Sequence, residues 1–130
     1  MIVVDTSALM AFIVEEPEGP SCRAVLQSER QILISAVTLT EAMIVATRRN
    51  LEDEMKDVIR SSVTRIIPLT RARAWKAAAA YARWGKGIHP AALNFGDCFA
   101  YAAAMENSCP LLYIGGDFAK TDVASARLSA

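Results

Sequence analysis

The chain has 130 residues, 53% hydrophobic and 22% charged, with Lys+Arg and Asp+Glu equal at 14 each. That suits a single domain over residues 1–130 with a sizeable core, and it excludes repeat, low-complexity and disordered classes. No apolar run approaches the roughly 18 residues of a membrane span and no basic-then-apolar leader opens the chain, so a cytoplasmic protein with no membrane attachment is expected.

Met1 to Val4 is a short apolar run with two valines, suited to a strand buried on both faces of a parallel sheet. It stops at Asp5, and Thr6-Ser7 offers an N-cap for a helix from Ala8 to Val14. A strand feeding straight into a helix opens an α/β unit, and ligands of open α/β sheets bind beyond the carboxyl ends of the strands. Asp5 falls there, although a lone acid at that place could equally be a helix cap. Glu15 to Pro20 is a turn rich in breakers, after which Ser21 caps a short helix to about Glu29. Gln31 to Ile34 reads as the second strand, ending at Ser35.

The next helix runs from Val37 to Arg49. Its i, i+4, i+7, i+8 face is Val37, Glu41, Ile44 and Val45, which puts Glu41 where periodicity asks for an apolar residue. An unpaired carboxylate there costs several kcal/mol, so it is expected to be paired, protonated or metal-bound. Leu51 to Ser61 is a solvated helix of mixed charge, and Thr64 to Leu69 is a third strand that Pro68 ends. Thr70 caps a helix from Arg71 to Trp84 that carries no acid. Its alanines, with Trp75, Tyr81 and Trp84, make it apolar on more than one side, as close packing or a dimer face requires.

Gly85 to Pro90 is expected to be a mobile loop, with His89 incidental rather than a base. Leu93 to Asp97 leads into a helix from Cys98 to about Asn107, where the dipole favours Asp97 in the first turn. Pro110 to Gly115 is the last buried strand. It runs into Asp117, and Asp122 follows about one helical turn later. Cys22, Cys98 and Cys109 lack CxxC spacing and suit reduced core positions, and a single histidine argues against zinc.

The neutral total hides a split. From Arg48 to Lys86 ten bases face four acids, a net +6, and the remainder is at −6. Either these are solvated helix faces, or a basic flank for a polyanion lies beside an acidic metal site. Asp5, Glu41, Asp97 and Asp117 come from four segments, each at a strand end or near a helix start, and in a parallel sheet such ends meet on one rim. Two unit charges at about 4 Å repel by roughly 4 kcal/mol at an effective dielectric near 20. Gathered carboxylates therefore want cations or protons, and oxygen-only ligands favour Mg2+ or Mn2+. Such a site suits metal-assisted phosphodiester hydrolysis.

The segments MIVVDTSAL, SAVTLTEA, LNFGDCFAYA and LLYIGGDFAKTD together resemble PIN-domain ribonucleases, in particular the VapC toxins of type II toxin–antitoxin systems, from Met1 to about Val123. The resemblance implies a three-layer α/β/α fold with a mostly parallel sheet and a magnesium-dependent endoribonuclease, with Mn2+ able to substitute. By position, Asp5, Glu41, Asp97 and Asp117 match the family's metal-binding acids. Thr6 and Ser7 match hydroxyls that orient the first acid or its water, and Asp122 an outer acid. Gly116 departs from the polar residue that many members carry before the last aspartate. The family further implies a VapB-type antitoxin, a homodimer, and a structured target such as transfer or ribosomal RNA; in-line attack by a metal-activated water would leave 5′-phosphate and 3′-hydroxyl ends.

In this sequence the antitoxin surface is expected around Met10, Phe12 and Val14. Arg48, Arg49, Arg71, Arg73 and Lys86 are candidates for RNA phosphates. A receiver domain would need an acidic pair at the first strand, and a haloacid-dehalogenase-like phosphatase would need a second aspartate at position 7. The remaining alternative is a PIN fold that binds protein or RNA with little catalysis.

Overall fold

The computed structural model describes residues 1–127. Four short strands, β1 (Ile2–Val4), β2 (Ile32–Ser35), β3 (Arg65–Ile67) and β4 (Leu111–Leu112), form one sheet in the order β3-β2-β1-β4, and every pairing is parallel. Side chains alternate across the strands. Ile2, Val4, Ile32, Ile34 and Leu112 point into one core and Val3, Leu33 and Leu111 into the other. The three-layer α/β/α arrangement expected from the sequence is the one observed, with the sheet parallel throughout.

Four helices cover the first face. They are α1 (Thr6–Ile13), α2 (Gly19–Ser28), α3 (Ala36–Arg48) and α4 (Glu52–Ser62), which lie between β1, β2 and β3 in the chain. The opposite face is covered by α5 (Arg71–Trp84) and α6 (Phe95–Glu106), between β3 and β4. A 3-10 turn, η1 (Phe118–Lys120), follows β4. Because β1 leads out to β2 and β3 on one side while β4 joins it from the other, β1 and β4 border the point where strand order reverses. Open α/β sheets place their binding crevice there. No helix among the described residues is long and apolar enough to cross a membrane.

Local chemistry sets the element boundaries. Asp5, Ser35, Thr70 and Asn94 are N-caps whose side chains accept from backbone N–H groups of α1, α3, α5 and α6. The α2 helix starts at Gly19, with Pro20 in its first turn, rather than being capped by Ser21. The expected core face of α3 is rotated. Its buried residues are Thr38, Ala42 and Ala46, while Ile44 is 56% exposed. Small side chains let α3 lie close to the sheet, and Glu41 sits at the half-buried edge of that face.

The last strand is shorter than expected. It ends at Leu112, and Gly115 turns the chain through a positive φ of 98°. The Gly85–Pro90 loop is tied rather than loose. Ile88 and His89 donate to Gly85 O, Lys86 N donates to Leu93 O, and the Tyr81 hydroxyl donates to Lys86 O. His89 packs edge-on against Trp84, and its Nδ1 accepts from Ala91 N.

Candidate active site

Asp5 ends β1 and is only 4% exposed. Its Oδ2 accepts from Ser7 N at 3.1 Å and Ser7 Oγ at 2.6 Å, and its Oδ1 is buried with no hydrogen-bond partner among the described residues. The same Ser7 Oγ accepts from Ile114 N at 3.0 Å, and Asp5 N donates to Leu112 O, so the acid is fixed to the segment leaving β4. Burial pushes the Asp5 carboxyl above its ordinary range, against the lowering by Ser7, and the nearby Glu41 adds to the rise.

Glu41, early in α3, accepts from Thr6 Oγ1 at 2.6 Å. Thr6 therefore orients Glu41 and not Asp5, whereas Ser7 does hold Asp5 as expected. The Glu41 carboxylate lies against Gly96 of α6, where a Cβ would be 2.0 Å from Oε2. A residue with any side chain at position 96 would exclude it.

Asp97 stands in the first turn of α6 and closes a capping box. Its own N–H donates to Asn94 Oδ1 at 2.9 Å while its Oδ2 accepts from Asn94 N at 3.0 Å. Desolvation, followed by the charges of Asp5, Glu41 and Asp117 and opposed by the Asn94 N–H, pushes the Asp97 carboxyl up to about 6. All three other acids are thus near enough to act on it. Asp117 itself is exposed, just ahead of η1.

The four acids share one rim beside the β1/β4 reversal. Asp122 is engaged elsewhere, accepting from the Tyr101 hydroxyl and from Arg83. The site residues least legible from the sequence are Asn94 and Gly96. Asn94 had a signal in its three-residue spacing from Asp97, but Gly96 had none, because its role depends on contact with α3.

Among the described residues, no three His, Cys, Asp or Glu groups already sit close enough together to enclose an ion. The donor set nevertheless fits a hard divalent cation. It consists of oxygen alone and, among the described residues, includes a buried carboxylate oxygen lacking any partner and crowds four acids with no basic side chain bonded to any of them. Cys98, next to Asp97, is buried with its thiol pushed up to about 11, so it is no thiolate nucleophile. Cys22, Cys98 and Cys109 are all free.

Residues 2–124 match the family model of the PIN domain. The chain belongs to the PIN-domain family. This PIN domain is 34% identical over 130 residues to Ribonuclease VapC30 of Mycobacterium tuberculosis, covering 98% of this chain and 99% of the relative. It is 37% identical over 129 residues to Ribonuclease VapC36 of the same organism, covering 94% and 91%. To Ribonuclease VapC of Mycolicibacterium smegmatis it is 36% identical over 128 residues, covering 95% and 98%. In fold it is similar to Mycobacterium tuberculosis VapC20, described as a sarcin–ricin loop cleaving toxin, with a TM-score of 0.80 at 19% identity over 98% of this chain and 100% of that one. A toxin–antitoxin complex from Klebsiella pneumoniae gives a TM-score of 0.71 at 20% identity, covering 94% and 93%.

Of the five basic candidates on this PIN domain, Arg73 is committed to Glu106 at 3.0 Å and to Pro68 O. Arg48 and Arg49 are exposed at the far end of α3, about 10 Å along the helix from Glu41 at 1.5 Å per residue. Arg71 is exposed at the start of α5, and Lys86 is joined through its backbone to Leu93, just ahead of α6. Met10 is a core residue at 7% exposure and offers no docking surface. Phe12, with Arg23 stacked on it at 5.0 Å, lines an open hollow of about 710 Å³ together with Ile13, Val58 and Arg60.

Proposed function

We propose that this PIN domain is a divalent-metal-dependent endoribonuclease toxin that cuts structured RNA of the transfer or ribosomal class and is neutralised by a VapB-type antitoxin. The observation that carries this reading is Asp5 Oδ1, a buried carboxylate oxygen without a partner among the described residues, in a cluster where Asp5, Glu41 and Asp117 all raise Asp97. Asp5, Glu41, Asp97 and Asp117 would hold Mg2+, with Mn2+ as a substitute. When bound, the ion supplies a water activated near neutral pH and positive charge for the phosphate oxygens.

The chain's own residues prepare that place. Ser7 fixes the Asp5 carboxylate, Thr6 aims Glu41, and the Asn94 capping box sets Asp97 at the mouth of α6. Lys86, just ahead of α6, is the basic candidate nearest the acid rim, and Arg48, Arg49 and Arg71 are exposed farther from it. Ribonuclease relatives alike over nearly the whole chain support the choice of RNA as substrate. The hollow at Phe12 suits a segment of the antitoxin. The exposed Trp75 and Phe95, at 73% and 74%, suit the α5 side to a homodimer contact.

The test is incubation of the purified, antitoxin-free protein with total bacterial RNA in Mg2+ or Mn2+, beside EDTA and Asp97→Asn controls, with the new 5′ ends mapped. Discrete cuts bearing 5′-phosphate and lost in both controls are expected. Cyclic-phosphate products would refute the chemistry, because they mean that a 2′-hydroxyl was the nucleophile. No cutting at all would favour a binding role for the fold.

A further inference from the structure

Asp117 differs from the other three acids in how it is held. Asp5, Glu41 and Asp97 each have a hydroxyl or amide bonded to the carboxylate, but the Asp117 side chain has no such bond among the described residues. Upstream, the nearest tie among the described residues is Ile114 N to Ser7 Oγ, three residues away. Gly115 and Gly116 precede Asp117, and nothing lies within 4 Å of a Cβ built at either position.

Downstream the chain is continuous and bonded. Lys120 N donates to Asp117 O, Thr121 N and Oγ1 donate to Phe118 O, and Val123 N donates to Thr121 Oγ1. Phe118 is buried against Tyr113 at 5.2 Å, and Val123 is buried as well. The segment from 117 to 123 therefore behaves as one unit, and its placement depends on what it is tied to.

Besides the exposed Arg83, 3.5 Å from Asp122 Oδ2, the polar tie is Tyr101. Its hydroxyl donates to Asp122 Oδ1 in a short hydrogen bond and accepts from Trp84 Nε1 at 2.9 Å, in a buried contact between α5 and α6. A phenol has one proton to give. With the indole N–H donating to the phenol oxygen, that proton is left for Asp122, and the two bonds reinforce each other. Tyr101 lies one turn after Asp97 on the same helix, at the i, i+4 spacing that puts both on one face. The helix that carries Asp97 thus also anchors the unit that carries Asp117.

We propose that Tyr101 is a positioning residue of the acid site. Acting through Asp122 and η1, it holds Asp117 opposite Asp97, and Trp84 sets the direction of its hydroxyl. Phe118 fixes how deep the unit sits, and the Tyr101–Asp122 bond fixes its rotation about that buried ring. This rests on the reading of the four acids as metal ligands given above.

The experiment is Mn2+ titration calorimetry on the full chain as wild type, Tyr101→Phe, Asp122→Asn, Asp117→Ala and the Tyr101→Phe/Asp117→Ala double variant, with thermal melts and RNA cleavage in parallel. Tyr101→Phe keeps the ring packing and is expected to weaken Mn2+ binding by about 10-fold, the lower end of what loss of an outer partner costs a metal site. Asp122→Asn keeps an acceptor for the hydroxyl and should stay within about 3-fold of wild type on the same scale. In the Asp117→Ala background, Tyr101→Phe should have no further effect on affinity, since two residues acting on one ligand are not additive. A Tyr101→Phe protein that melts earlier yet binds Mn2+ like wild type would show a merely structural contact and overturn the proposal. So would a full additional loss in the double variant. Wild-type protein that takes up no Mn2+ would instead overturn the metal-site reading itself.

Discussion

Gly96→Ala is the sharpest available probe of whether the acid cluster works as a unit. Gly96 is a buried helical residue with no positive φ, so alanine suits its backbone and can add up to about 1 kcal/mol of helix preference. The new Cβ would stand 2.0 Å from Glu41 Oε2 and 2.8 Å from its Cδ. The carboxylate, at the end of a flexible side chain, has to swing away by more than about 1 Å to restore ordinary contact. The swing breaks the Thr6–Glu41 hydrogen bond of 2.6 Å. A bond to a charged group contributes about 1.5–3 kcal/mol. Against this stand the gain in helix preference and the relief of repulsion between Glu41 and its neighbours Asp5 and Asp97.

The net change in stability should fall within about 1 kcal/mol, or roughly 3–5 °C in Tm for a chain of this size. On the proposed function, metal affinity and RNA cleavage should by contrast fall at least about 10-fold, because one of the four acids has been turned out of the cluster. Thermal melts, Mn2+ calorimetry and a cleavage time course read these separately, and Glu41→Gln serves as a control that removes the charge without the clash. A Gly96→Ala protein with wild-type affinity and rate would refute the claim that Glu41 must lie against α6. A collapse of the fold would show that the carboxylate cannot swing.

Asp97 gives a pH prediction whose sign is fixed. Its folded pKa of about 6 lies above its ordinary 3.8, so the native state holds the extra proton and metal-free stability falls as pH rises from about 4 to about 6. The ceiling is about 3 kcal/mol, cut to roughly half for a group this exposed to solvent screening. Melts from pH 4.5 to 7.5 should show the decline, Asp97→Asn should flatten it, and Mn2+ should restore stability at pH 7; a Tm that rises across that range without metal would count against it. Ser7→Ala should leave Asp5 Oδ2 with one donor and Ile114 N with none, destabilising by about 1–3 kcal/mol and depressing cleavage. Urea melts would check the first and product yield the second. RNA binding through Lys86 and the exposed Arg48, Arg49 and Arg71 should weaken steeply between 50 and 200 mM salt, about one logarithmic unit of slope per phosphate contact. A flat response in filter binding would make these charges ordinary surface.

Much of the site was legible because the acids interrupt local patterns. The apolar run of β1 stops at Asp5, Asp97 sits where a helix dipole welcomes it, and a second apolar run leads toward Asp117. Glu41 was singled out on a helix face that the fold rotates. The sequence suggested a face of Val37, Ile44 and Val45, because branched apolar residues normally seek the core. In the fold, Thr38, Ala42 and Ala46 face inward, since α3 packs too closely over the sheet for larger side chains. Met10 looked like surface for a similar reason, as α1 is apolar nearly all round and periodicity does not say which side is covered. The pairing of Tyr101 with Asp122 and the fit of Glu41 onto Gly96 join segments 21 and 55 residues apart. No local pattern encodes contacts of that kind.

The unpartnered oxygen of Asp5 carries a consequence for how this fold can change. Four carboxylates crowded on one rim lower the stability of the metal-free chain, so replacing one with its amide removes repulsion and leaves the backbone supports in place. Substitutions that disable the site should therefore be among those the fold tolerates most readily, and some should raise its melting temperature. Loss of an acid here is downhill in folding free energy. A population of such chains held only to the requirement of folding would drift toward inert copies, and the intact quartet persists against that slope.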